Sequence, residues 1–431
     1  MSAQTTGSAI PRLALVGVFG GLFCGYVGLS AVIPVLPGFV RERYGAPDVA
    51  VGLVVMATAF TALLVRPVAG HLADRHGHRL VMLAGALIIA VGGVLYFLPL
   101  GVAGLVPLRL LLGVGEAALF TAGAVWTVAL APHERRGQLI GLYGVSMWGG
   151  ISAGTFLGAV MLPLGYGAVW AFSGAAALVG LLLISASPVR ARAGRPGEVP
   201  GETSDGEVPG DTVSAGGSSG GGSSGGGERS TGPAGGARRG SGHRLLVRPA
   251  LLPGTALALA AAGYAGLAAF VVLHLRARGI DSGVAVLSCF SAVYAGTRLF
   301  IGHLPDRLGP RRVAVWCGVG EAAGLLVVAV APNLPVALVG SVITGVGFSL
   351  MHPSLALMVM DLADPAEQGA AIGAYTSFWD LGLALWGPLI GAVATGFGYP
   401  AVFVAGAACA VAAVAVALRV RRPAVRPATT G

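Results

Sequence analysis

The chain has 431 residues, 55% of them hydrophobic and only 10% charged, with a mean hydropathy of +0.81; a soluble protein of this size needs far more polar surface. Its formal charge of +9 rests on 27 basic residues, all arginine. Without lysine there is neither a phosphate-binding loop of the usual kind nor Schiff-base catalysis.

Crossing the hydrocarbon core takes about 20 apolar residues as helix, and twelve such runs are present. After a polar tail ending near Arg12, the first six predicted spans are Leu13–Leu36, Val49–Ala69, Leu80–Leu100, Val102–Ala131, Gln138–Leu162 and Ala168–Ser187. Residues 189–248 contain no Phe, Tyr or Trp and are rich in Gly, Ser, Pro and charge. Such a segment buries no core and reads as a disordered linker. The remaining spans are predicted at 250–275, 283–301, 313–331, 336–362, 370–394 and 400–418. The expected architecture is an all-α membrane protein, with six-helix bundles at 1–188 and 249–431 joined by the linker. Cys24, Cys289, Cys317 and Cys409 fall singly inside apolar runs, which suggests neither a disulfide framework nor a metal site.

The two halves repeat. Gly70–Arg79 reads Gly-His-Leu-Ala-Asp-Arg-His-Gly-His-Arg, and 232 residues later Gly302–Arg311 reads Gly-His-Leu-Pro-Asp-Arg-Leu-Gly-Pro-Arg. Arg66 and Arg298 precede the two copies at the same distance. Gly113-Val114-Gly115 matches Gly345-Val346-Gly347 at that offset, as Gly137, Gly141 and Tyr143 match Gly369, Gly373 and Tyr375. Gly25-Tyr26-x-Gly28-Leu29 matches Gly263-Tyr264-x-Gly266-Leu267 at offset 238. With both termini on one face, that face holds 20 arginines, the other 4, and the spans 3; without the 8 in the linker the balance is 12 to 4. Positive charge collects on the cytoplasmic side, so the termini are expected inside, in a multi-pass protein of the plasma (inner) membrane.

These residues resemble the major facilitator superfamily over both halves. Gly70, Asp74, Arg75, Gly77 and Arg79 fill that family's signature between spans two and three, and Gly302, Asp306, Arg307, Gly309 and Arg311 fill it again. Arg109 with Gly113 and Gly115 resembles its fourth-span pattern. Gly150, Gly154 and Gly158 follow a fifth-span pattern associated with exporters, with Thr155 at the proline position; Gly387-Pro388 and Gly391 give a fuller version in span eleven. The resemblance implies two bundles that rock around a site near the midplane.

The signature glycines are expected to let the loop turn tightly, and its arginines to reach carboxylates and helix C-terminal carbonyls. The segment between spans ten and eleven carries Asp361, Asp364 and Glu367 and no arginine, which suggests a latch across the cytoplasmic side. Exposed ion pairs contribute about 0.2–1 kcal/mol each, suited to a latch that reopens; the competing reading is that these charges only fix topology.

Within the spans, Arg109 and Glu116 are seven apart on one helical face with Gly113 between them. Burial favours the neutral form of a carboxyl group and a nearby guanidinium the ionised one, so a carboxyl under both influences suits proton exchange; the alternative is a fixed ion pair. Asp380 is a second candidate, either a substrate or proton site or a structural partner for Arg298. Glu321, in a span expected to be peripheral, reads as structurally paired. Tyr26 and Tyr264 are expected to face the cargo, with Trp379, Trp148 and His352 as further cavity candidates; for each the alternative is helix packing. Gly150-Ile151-Ser152-Ala153-Gly154 matches a hydrolase elbow in wording only, since that motif needs a strand-to-helix turn, and no enzyme is expected.

The sequence therefore reads as a secondary transporter, with proton-coupled efflux of small amphipathic or cationic molecules as the leading activity. Uptake of a sugar-like or organic-acid solute, with Arg109 as counter-charge, and a non-transporting sensor or scaffold are the alternatives. Expected partners are a small-molecule cargo, protons and the lipid bilayer, with no nucleic acid, no cofactor or metal, and a monomeric state.

Overall fold

The computed structural model describes residues 12–131, 136–187, 248–280, 282–363 and 368–420. The segment read as a linker lies outside these residues apart from Arg248, as do Asp364 and Glu367. The first half comprises α1 (Arg12–Ala31), α2 (Leu36–Tyr44), α3 (Asp48–His76), α4 (His78–Leu95), α5 (Gly101–Leu130), α6 (Arg136–Met161) and α7 (Tyr166–Ser185). The second comprises α8 (Arg248–Ala277), α9 (Gly283–Ile301), α10 (Leu304–Leu308), α11 (Pro310–Val330), α12 (Leu334–Leu362), α13 (Gln368–Phe397) and α14 (Tyr399–Arg419). Twelve spans among the described residues are long and apolar enough to cross a bilayer, α1 and α2 together forming the first. In lipid a helix satisfies its own backbone; Pro34 and Pro37, which lack an N–H, account for the break between α1 and α2.

The start of α1, the end of α14 and the turns at Gly77 and Gly309 share one face, here the terminal face; the turns after Tyr44 and Ala277 lie on the opposite, distal face. The first signature copy is mostly helix rather than loop. Gly70 lies inside α3, which runs on to His76, and Gly77 makes the turn with φ 96° and ψ 139°. Gly309 repeats it with φ 90° and ψ 133°. Such angles are close to a region that only glycine populates freely. In the second copy Pro305 replaces Ala73, and the chain there leaves α9 at Ile301 and restarts as the short α10.

Arg79 donates to the carbonyl oxygens of Ile184 (3.3 Å) and Ser185 at the end of α7. Arg311 does the same to Leu418 at the end of α14. Each signature thus ties its bundle's last helix to its third span, where a cation meets unsatisfied carbonyls and the negative end of the helix dipole.

Within the halves α1 packs on α6 and α7, α3 and α4 on α5, α8 on α13 and α14, and α11 on α12 and α14. Gly154 and Gly158 bring α6 onto α1, where any Cβ would meet the backbone of Val27 and Ala31. Between the halves, α3 packs on α13 and α6 on α9, two contacts equivalent under the repeat. Near the distal face Gly52, Gly387 and Gly391 let α3 and α13 approach backbone to backbone. Arg276 pairs with Glu42 there, and Tyr399 Oη donates to Asp48 Oδ1 at 3.2 Å, both linking one half to the other.

Gly77→Ala and Gly309→Ala should each lower the thermal midpoint of the purified protein, by a strain on the order of 1–3 kcal/mol. Gly70→Ala should leave it level or raise it, because the added Cβ meets only Thr121 Cγ2 at 3.6 Å within a helix. Equal losses at all three positions would refute the assignment of the turn to Gly77 and Gly309.

Candidate functional site

A cavity of about 70 Å³ lies between the halves, lined from α1, α3, α5, α6, α8 and α13. Tyr26, Arg109, Glu116, Trp148, Tyr264, Trp379 and Asp380 all contribute to its wall. Seven predicted residues therefore meet at one place, although they are drawn from five helices. His352 is not among the lining residues: its ring packs on Trp148 and Tyr375, and its backbone carbonyl accepts from Tyr375 Oη at 2.8 Å.

Two of the sequence-based pairings are corrected. Asp380 is bonded not by Arg298 but by Arg66 of the other half, through Nε at 2.5 Å and Nη2 at 3.1 Å. The pair is well buried, with side-chain exposures of 13% for Arg66 and 3% for Asp380. Arg66 Nη1 is buried without a hydrogen-bond partner, and the guanidinium lies 4.6 Å from the centroid of the Phe120 ring. Arg298 instead bonds Tyr294 Oη at 2.7 Å and lies 5.4 Å from the Trp148 ring of the first half.

Arg109 does not bond Glu116 either. Seven residues amount to about 10 Å along a helix, and Arg109 reaches sideways into α3. It donates to Val54 O at 3.1 Å, Val55 O at 2.6 Å, Thr58 Oγ1 at 3.3 Å and Tyr96 Oη at 3.4 Å. Gly113 makes this reach possible, because a Cβ there would strike Thr58 O. Arg109 is a helix fastener first. Glu116 takes its hydrogen bond from Tyr26 Oη at 3.3 Å.

The repeat relates these contacts and shows how they diverged. Adding the 232-residue offset carries Arg66 to Arg298 and Trp148 to Asp380. The ion pair Arg66–Asp380 and the cation–π contact Arg298–Trp148 are thus one contact made twice across the interface. The offset also carries Glu116 to Phe348, and Tyr264 stacks on Phe348 (centroids 6.0 Å, planes at 5°) where Tyr26 bonds Glu116. One side of the cavity is ionic; the other is aromatic, lined by Tyr264 and Trp379, which belong to a ring cluster with Phe290, Tyr294 and Phe348.

The Major Facilitator Superfamily profile matches residues 18–285 and 254–431. The chain belongs to the major facilitator superfamily. It is a multi-pass membrane transporter. An uncharacterised MFS-type transporter of Burkholderia mallei is 30% identical over 94% of this chain and 91% of its own length. Another from Salmonella typhimurium is 31% identical over 94% and 95%. Among solved structures, the fold is similar to a bacterial homologue of the human lysosomal transporter Spinster, in an inward-facing, occupied conformation (TM-score 0.71, 14% identity, 97% of this chain and 100% of that one). It is also similar to the human organic anion transporter MFSD10 (TM-score 0.64, 18% identity, 94% and 99%).

Glu321 of α11 was expected to be paired. It is fully buried, neither of its carboxyl oxygens has a hydrogen-bond partner among the described residues, and the group lies against Gly263 of α8, which offers no side chain. Arg66 is the residue that sequence reasoning passed over. Its equivalence to Arg298 is visible in the repeat, but nothing in the chain alone marks Asp380 as its partner. Of the signature residues, Asp74, Arg75, Asp306 and Arg307 are exposed at the terminal face, and so is Asp361.

Removing one member of a buried ion pair strands the other, at a cost of about 3–5 kcal/mol. Arg66→Ala and Asp380→Ala should therefore each destabilise the purified protein more than the double variant does, in thermal unfolding. Additive losses would show that the two side chains do not depend on each other.

Proposed function

We propose that the protein is a secondary active transporter that works by alternating access and exports small amphipathic or cationic molecules in exchange for protons. The supporting observation is that two carboxyl groups, Glu116 and Asp380, share one inter-bundle cavity, and that one of them holds the halves together through Arg66. Cargo sites commonly measure about 300–1,000 Å³, whereas the present cavity of about 70 Å³ has room for about two waters. Cargo entry then requires the halves to part. A proton on Asp380 removes the charge that holds Arg66, while Glu116 and the aromatic wall receive a cation with an apolar body. Each proton moved down 100 mV supplies about 2.3 kcal/mol, enough for roughly a fifty-fold cargo gradient.

A second reading, proton-linked uptake of an organic anion, draws support from the unpartnered Arg66 Nη1 at the ion pair. Arg66 then replaces Arg109 as the counter-charge, since Arg109 is engaged by α3. Both readings place the terminal face in the cytoplasm of a plasma (inner) membrane protein, on the balance of arginines. Arg75, with the acidic segment beginning at Asp361, forms the reversible latch on that face.

In inverted vesicles with a preset pH gradient, exported compounds should collapse the gradient on addition, and Glu116→Gln should abolish concentrative transport while retaining counterflow exchange. Proton movement that persists in Glu116→Gln would remove that residue from coupling. For the latch, Arg75→Glu should shift the accessibility of single cysteines on the terminal face; unchanged transport and accessibility would leave these charges with topology alone.

A further inference from the structure

An apolar groove of about 650 Å³ opens on the outer surface of the second half and shares no lining residue with the inter-bundle cavity. Its walls come from the end of α9, from α10, and from α11 and α12. Leu308, Trp316, Val342 and Val346 are among its lining residues and are exposed, Trp316 by 80%. In a multi-pass membrane protein that surface meets lipid. Arg312 is the one charged residue of the lining and stands at the terminal-face end, one helical turn before Trp316 on the same side of α11.

The sequence explains why the groove is here. Pro305 in place of Ala73 ends α9 early, so the last turns of α3 have no continuous counterpart. Gly320 occupies the position of Ile88, whose side chain lies against Gly115 in the first half. Trp316 and Arg312 stand where Ala84 and Leu80 stand. One half has a filled seam, the other an emptied one with an aromatic and a cation at its mouth.

We infer that this groove is a seat for one glycerophospholipid of the terminal-face leaflet, with an acyl chain along α11 and α12 and an anionic headgroup on Arg312. The dimensions agree. Arg312 to Gly320 is about 12 Å of helix rise, most of one leaflet of a core about 30 Å thick. A tryptophan at headgroup depth and an arginine just outside it match the two layers of that interface. Arg307 and Arg311 lie in the same turn, with Asp306 as its one acid; Arg311 is committed to Leu418 O, which leaves Arg307 and Arg312 for the phosphate.

The test uses the full-length protein in a neutral detergent, titrated with phosphatidylglycerol or phosphatidylcholine carrying brominated acyl chains, which quench tryptophan on contact. The Trp316 signal is the difference from Trp316→Phe. Phosphatidylglycerol should quench it saturably and in a salt-dependent way, about fivefold more weakly in Arg312→Gln. Gly320→Ile should abolish the saturable component. The new side chain has room, since a Cβ at Gly320 approaches nothing closer than Gly347 Cα at 3.5 Å, and Arg312→Gln carries the test if that variant fails to fold. Equal quenching by both lipids, unchanged in either variant, would reduce the groove to ordinary lipid contact. Loss of quenching as the protein dimerises would assign the face to a second copy of this chain and overturn the proposal.

Discussion

A guanidinium from one bundle closes on a carboxylate from the other at a depth where neither has much access to water. Each charge alone would be expensive there, so each holds the other in place. Arg66 and Asp380 therefore couple the positions of α3 and α13 in a way that apolar packing cannot, because lipid rewards helix separation almost as well as helix contact. The glycine contacts near the distal face bring the same two helices within reach. The ion pair gives that approach a reason to be undone.

The duplication kept geometry more faithfully than chemistry. Tyr143 donates to Phe120 O at 2.5 Å and Tyr375 to His352 O at 2.8 Å, at equivalent positions. Arg109 bonds Val54 O, and Ser341, its counterpart, bonds Val286 O at 2.6 Å. Gly113 and Gly345 allow the same close approach in each half. These contacts fix helices and tolerate little change. Around the cavity the opposite holds: Phe348 stands at the place equivalent to Glu116, and Asp380 faces Arg66 where Trp148 faces Arg298. In the proposed cycle such inequality has a use, since protonation weakens an ion pair and leaves a cation–π contact untouched.

Spans, duplication and family were legible because each rests on periodicity or wording over tens of residues. Pairings inside the membrane were not, because a helix presents each side chain to one of several neighbours and the chain alone does not say which. Arg109 was drawn toward Glu116 by their shared face, yet helix rise keeps them apart and α3 was nearer. Asp380, read as a cargo or proton site or as a partner for Arg298, is held by Arg66 instead. The repeat relates the two arginines' contacts: a contact between the halves recurs with the roles exchanged, and 148 plus the repeat offset is 380. The same reasoning shows why Glu321 resisted. It has no acidic counterpart, Ile89 standing at its place in the first half.

The numbers of charges at the cavity also constrain any cycle. Arg109 in the cavity wall and Arg66 beside it, paired with Asp380, bring two positive charges that no titration removes under physiological conditions, and Glu116 and Asp380 bring up to two negative ones. With both carboxyls ionised the cluster is neutral; with one protonated it has one positive charge beside a space for about two waters. A cationic cargo is disfavoured in the protonated state and admitted only once the carboxyls have released their protons. In the proposed cycle proton and cationic cargo thus exclude each other, so exchange follows from charge balance in a low-dielectric site rather than from a separate linkage device. An anionic cargo would need Asp380 neutral before Arg66 could receive it, so uptake would carry protons in the same direction as the cargo. The two acids and two arginines thus tie direction of coupling to the sign of the cargo's charge.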